Sequence, residues 1–143
     1  MESGSDTAML ATPDEIRARI RSEHAQISAQ LARVEALTER VDHGDDESVI
    51  ALRDELQQLG TMLVEHLHYE EYQVSSLAEA GRADEVAEDM RRDHRDQREL
   101  FDSIIRELDE TAVGSKLVVG VRELARAIRD DMEYEERELL NRP

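Results

Sequence analysis

The chain contains two prolines, Pro13 and Pro143, and none between them. Proline breaks a helix by removing an N–H donor and clashing with the preceding turn, so nothing in that stretch forbids long helices. Gly44, Gly81 and Gly114 divide it into pieces of about 30 residues. Each predicts a helix stop, because glycine enters a left-handed conformation without steric cost. Thr12-Pro13-Asp14-Glu15 predicts the first start, with Thr12 as cap, Pro13 at the first helical position and Glu15 completing a capping box. Asp45 or Asp46 is placed to cap the second piece and Ser115 the fourth, and the third starts near Ala83–Asp84.

Each piece carries apolar residues at three- and four-residue spacing, the period of a helix with one buried face. The stripes are Ile16, Ile20, Ile27, Leu31 and Val34; Leu52, Leu56, Leu59, Leu63, Val74 and Leu77; Val86, Met90, Phe101, Ile104 and Leu108; and Leu117, Val121, Leu124, Ile128 and Leu139. Four similar helices with short links predict an all-α protein, an antiparallel up-down-up-down four-helix bundle over residues 12–143. Residues 1–11 are expected to form a loose tail. Gly60 and Gly120 fall inside helices two and four, where a missing side chain permits close packing or lowers local helix stability.

Composition narrows the function. The chain has 143 residues, 35 Asp+Glu against 18 Lys+Arg, and a formal net charge of -17. With 39% apolar residues it can still fold as one domain. The acid excess argues against nucleic acid and against an anionic membrane surface. No segment approaches the apolar length of a membrane helix, and Met1–Ala11 lacks signal-peptide character, so a cytoplasmic location is expected. There is no cysteine, which excludes disulfides, thiolate nucleophiles and sulfur-ligated metal sites.

The apolar stripes are interrupted at one level. His24 breaks the first, His66 and Glu70 the second, His94 the third, and Asp131 and Glu135 the fourth. His24 lies 20 residues before Gly44 and His66 22 after it. Glu70 lies 11 before Gly81 and His94 13 after it. His94 lies 20 before Gly114, with Asp131 17 and Glu135 21 after it. At 1.5 Å per residue, the mismatches come to no more than about 5 Å along the axis. In an antiparallel bundle all six therefore meet in one layer.

Short echoes support a duplicated hairpin. Arg21-Ser22-Glu23-His24 resembles Arg91-Arg92-Asp93-His94, and the run from His66 to Glu71 resembles that from Asp131 to Glu136. A pseudo-two-fold site for two ions follows. Three imidazoles and three carboxylates in one buried layer carry a large desolvation cost. No Lys or Arg occupies these stripe positions, so cations are the natural partners. The sulfur-free donor set suits iron or manganese, and zinc fits the same donors.

Other polar residues take plainer roles. His43, just before Gly44, reads as a cation at a helix C-terminus. His68 lies about 200° around the helix from His66 and points away. Glu71 and Glu136 face solvent or a neighbour. Tyr69, Tyr72 and Tyr134 neighbour the proposed ligands and suit either a helix boundary or a hydrogen bond to a ligand.

Taken in order, these residues resemble the hemerythrin-like (HHE cation-binding) family, over roughly residues 13–141. His24 in Ser-Glu-His-Ala matches its first motif. His66 and Glu70 in Glu-His-Leu-His-Tyr-Glu-Glu match the second, His94 in Arg-Asp-His-Arg the third, and Glu135 in Glu-Tyr-Glu-Glu the acid of the fourth. The resemblance implies a four-helix bundle with a non-haem di-iron centre that binds or reacts with dioxygen or a related small oxidant. Glu70 and Glu135 would bridge the irons, and His24, His66, His94 and Asp131 would be terminal ligands. Leu63, Ile27, Phe101 and Ile128 would wall the pocket. The family implies carriage, storage or sensing rather than one reaction, so no catalytic residue is assigned. Two departures stand out: Arg98 replaces a second helix-three histidine, and Asp131 replaces the helix-four histidine. More carboxylates favour the ferric state, implying a poorer reversible carrier, and one metal position that holds its ion weakly.

Two rival readings belong to other classes. One is a metal-free acidic interaction module for a basic partner, with the polar layer serving only as a pH-sensitive core. The other is a ferritin-type oxidase or ferroxidase, although the Glu-x-x-His pairs of that group do not occur at core-facing positions.

Overall fold

The computed structural model describes residues 12–77, 82–109 and 115–140. They form four helices, α1 (Pro13–Asp42), α2 (Ser48–Leu77), α3 (Ala83–Asp109) and α4 (Ser115–Glu135), and α4 continues into a π-helical turn, Glu136–Leu140. No strand occurs among the described residues. The expected tail, the stops at Gly81 and Gly114, and the side chains of Val74 and Ser115 lie outside what is described.

The first start forms as its residues dictate. Thr12 Oγ1 accepts the Glu15 N–H at 3.2 Å, and the Thr12 N–H donates to Glu15 Oε1 at 2.9 Å, so two otherwise orphaned donors are satisfied. The first stop is equally local. Gly44 has φ +95°, and among the described residues no non-glycine has positive φ. His43 closes the C-terminus of α1, its Nδ1–H donating to the Glu39 carbonyl at 2.7 Å. Asp45 acts at the next start, where its carboxylate accepts the Ser48 hydroxyl at 2.8 Å.

Each helix packs against two others: α1 against α2 and α4, and α3 against α2 and α4. The apolar residues form two clusters. The larger joins Val41 and Leu52 of the α1–α2 connection to Leu108 and Leu117 at the corresponding ends of α3 and α4. The smaller joins Ile16, Leu77, Val86 and Leu139. Ends that meet in this alternating way require antiparallel neighbours. Every stripe residue whose side chain is described is buried except Phe101, which is half-buried. Burying each Leu or Ile stabilises the fold by roughly 1.5–3 kcal/mol.

The glycines inside helices now separate. A Cβ on Gly60 would lie 2.5 Å from Phe101 Cζ, so Gly60 lets the ring sit against the α2 backbone. A Cβ on Gly120 would meet Ile104 at 3.2 Å, a tighter approach than side chains normally make. One departure concerns the end of α4, expected as a single α-helix. The chain turns into a π-helical turn instead, in which Leu139 and Leu140 are both buried. Their carbonyls accept from α1: Arg17 Nε donates to Leu139 O at 3.0 Å and Arg21 donates to Leu140 O. Among the described residues, no helix is long and apolar enough to cross a membrane.

Candidate metal centre

The two apolar clusters are separated by a polar layer, in which α1 places His24 between Ile20 and Ile27, and α3 places His94 between Met90 and Ile104. His66 and Glu70 enter from α2, and Asp131 and Glu135 from α4. All six side chains are brought together, and none is more than 6% exposed. The count from Gly44 holds because α1 and α2 run unbroken from that turn to His24 and His66, whereas Gly81 and Gly114 lie outside the described residues.

Their donor atoms fall into two overlapping groups, His24, His66, Glu70 and Glu135, and Glu70, His94, Asp131 and Glu135, with the atoms of each within 4.8 Å of one another. Glu70 and Glu135 belong to both. His24 Nε2 lies 2.9 Å from Glu135 and 3.2 Å from Glu70. His66 Nε2 lies 2.9 Å from Glu70. His94 Nε2 stands 3.4 Å from Glu70, 3.4 Å from Asp131 and 3.5 Å from Glu135.

A ring of carboxylates fixes the imidazoles. His66 Nδ1–H donates to Glu23 at 2.7 Å, His94 Nδ1–H to Glu71 at 2.8 Å, and His24 Nδ1–H to Glu136 at 3.3 Å. A carboxylate can only accept, so each Nδ1 carries a proton and each Nε2 faces inward. The bonds obey the internal echo: Glu71 of the first hairpin holds His94 of the second, and Glu136 of the second holds His24 of the first. Glu71 and Glu136 thus have specific neighbours. Asp131 is held differently, by the Gln97 amide at 2.8 Å. Gln97 is 2% exposed. Its sequence signal was a polar residue on the α3 stripe, one turn from His94. Glu23 carried only its place in the repeat.

The remaining polar residues stay outside. His68 is exposed. No tyrosine hydroxyl bonds a ligand candidate among the described residues; Tyr69 instead lies beneath the Arg19 guanidinium, 3.7 Å from the ring centre. Of the expected wall, Ile27 and Ile128 are buried in the larger cluster. Leu63 and Phe101 line an apolar cleft of about 660 Å³ between α2 and α3, which Gln97 also reaches.

Electrostatics shows what the layer lacks. Burial alone would lower both imidazoles, but Glu135 and Glu70 push His24 up to about 10, and Asp131, Glu135 and Glu70 push His94 up to about 12. Burial and the neighbouring Glu70 charge push Glu135 well up. Without a cation, the layer must hold protons to offset three carboxylates. Among the described residues three buried atoms make no well-directed hydrogen bond: His66 Nε2, although it lies 2.9 Å from Glu70, Glu70 Oε1, 3.4 Å from His94, and Asp131 Oδ1. They comprise one donor from each group and one donor that both groups share. Such buried polar atoms are costly and rare, and all three belong to residues of the two donor groups. The donor set therefore fits metal, with nitrogen and oxygen ligands of the kind that iron, manganese or zinc accepts.

A family model for the hemerythrin HHE cation-binding domain matches residues 15–142. No curated protein and no solved structure matches the chain.

Proposed function

The chain belongs to the hemerythrin HHE cation-binding family, and from that premise we propose that it is a non-haem di-iron protein that binds or reacts with dioxygen or a related small oxidant. The observation that carries this reading is the pair of four-donor groups sharing Glu70 and Glu135. Two carboxylates common to both groups suit two ions side by side. Glu70 and Glu135 would bridge them, with His24 and His66 terminal on one and His94 and Asp131 on the other. Iron held there supplies one-electron and oxygen chemistry.

The chain's own residues set the terms of that chemistry. Glu23, Glu71 and Glu136 hold the imidazoles in the tautomer that presents Nε2. Leu63, Ile27 and Ile128 back one side of the layer with buried apolar side chains. The apolar cleft bordered by Leu63 and Phe101 gives a small apolar molecule an approach. Asp131 in place of an imidazole adds a hard anionic donor, which favours the oxidised metal. Redox handling or sensing thus suits this centre better than reversible carriage. Manganese or zinc in the same donors would keep the layer and change its chemistry. The acidic surface favours neither nucleic acid nor an anionic membrane.

Metal content and an ultraviolet–visible spectrum after growth in iron-rich medium test the reading. Two irons per chain and a charge-transfer band, both lost in Glu70→Ala, are expected. Iron-free protein that keeps its fold in chelator would overturn it and leave the layer as a structural, pH-sensitive core.

A further inference from the structure

A further cleft opens beside the metal layer between α3 and α4. It measures about 280 Å³ and is lined by Asp93, Asp96, Ala127, Asp130, Asp131 and Tyr134. Four of the six are carboxylates, and among the described residues no Lys or Arg lines it. Asp96 and Asp130 are exposed, Asp93 and Tyr134 half-buried, and Asp131 is 6% exposed. Asp131 belongs both to this cleft and to the second donor group, and its Oδ1 is one of the three buried atoms without a well-directed hydrogen bond. The acids therefore descend from solvent to a ligand candidate.

The other approaches to the layer carry cationic groups. Glu23, which covers His66, accepts from Arg19 at 2.9 Å. Glu71, which covers His94, accepts from Arg98 at 3.3 Å. The cleft beside His24 contains Arg21, and the apolar cleft contains Arg98. Near the acidic cleft, Arg92 is tied to Asp89 at 2.9 Å and also attracts Asp93, and the Arg137 guanidinium lies 5.8 Å from the Tyr134 ring centre, but neither arginine lines the cleft. The internal echo sharpens the contrast. Glu23, which meets a histidine in the first hairpin, corresponds to Asp93, which faces the Asp131 carboxylate in the second.

We infer that the acidic cleft of Asp93, Asp96 and Asp130 is the port through which divalent cations reach the centre, with Asp131 as the residue that hands them inward. The inference rests on the metal-centre reading above. A cleft lined by one sign of charge concentrates counter-ions and raises their rate of capture, an effect that salt suppresses.

Cobalt(II) uptake by the metal-free protein, followed by its visible absorption in stopped flow, tests the port. The variant Asp96→Asn/Asp130→Asn removes two exposed acids without touching a ligand candidate. Glu47→Gln/Asp54→Asn makes the same charge change on exposed residues near the start of α2. The port variant is expected to load about tenfold more slowly at low ionic strength, with unchanged final stoichiometry and a difference that collapses in high salt. The control should load at the wild-type rate. Wild-type loading by the port variant, or equal slowing by the control, overturns the port and leaves the metal centre standing. No cobalt uptake by the wild-type protein overturns the metal reading and the port with it.

Discussion

Glu71 accepts the His94 Nδ1–H at 2.8 Å although the two residues come from different hairpins, and through this bond the half-exposed edge of α2 sets the tautomer of a fully buried imidazole on α3. The carboxylate leaves His94 Nε2 to the interior, where three further carboxylates surround it.

Glu71→Ala should therefore weaken metal binding without unfolding the chain. Loss of such an orienting partner typically costs about 10–100-fold in affinity. Competition with a chelator measures it, and circular dichroism checks that the helices persist.

His68 provides the matching control. It sits two residues from His66 but is exposed and belongs to neither donor group. His68→Ala should leave metal content at the wild-type level, whereas His66→Ala should lose at least one ion per chain. Equal losses in both would show that the α2 register has been misread.

Proton linkage gives a pH prediction. In the metal-free protein His24 is pushed up to about 10 and His94 to about 12, both above the ordinary 6.5. Each is raised, so its contribution to stability is complete below 6.5 and fades as pH rises toward those values. The melting temperature of the metal-free protein should thus fall as the solution turns alkaline. Metal requires the deprotonated Nε2, so uptake at neutral pH should release a proton from each of these imidazoles, and affinity should rise with pH. Titration calorimetry in buffers of different ionisation enthalpy counts the protons.

Gly60 and Phe101 form a coupled pair. Gly60→Ala should gain up to about 1 kcal/mol in helix propensity but drive a Cβ into the Phe101 ring. In a Phe101→Ala background the obstacle is gone, and the same substitution should stabilise by roughly that amount. Denaturant unfolding of the four-member cycle measures the coupling, and additive effects would show that the ring gives way freely.

Much of the molecule was legible in the chain because the rules involved are local. Thr12, Pro13 and Glu15 write a helix start within four residues, and Gly44 writes a stop by its own conformational freedom. Apolar spacing identified the buried faces, and counting from the glycines placed His24, His66, Glu70, His94, Asp131 and Glu135 at one height, because helical rise is nearly constant. The network around that layer was not legible. Glu71 and Glu136 lie one residue beyond Glu70 and Glu135, a position that by periodicity alone suits a solvated face equally well. Their pairing with His94 and His24 depends on how neighbouring hairpins pack.

The sequence by itself determined four helices, their buried faces and the level at which polar groups interrupt the core, since each follows from spacing along one helix. The tertiary structure alone decided which Nε2 and carboxylate atoms converge, that Gln97 holds Asp131, and that α4 ends in a π turn with Leu139 and Leu140 both buried. Those outcomes depend on side chains from different helices competing for the same ångströms of space, and spacing along any one helix does not encode that competition.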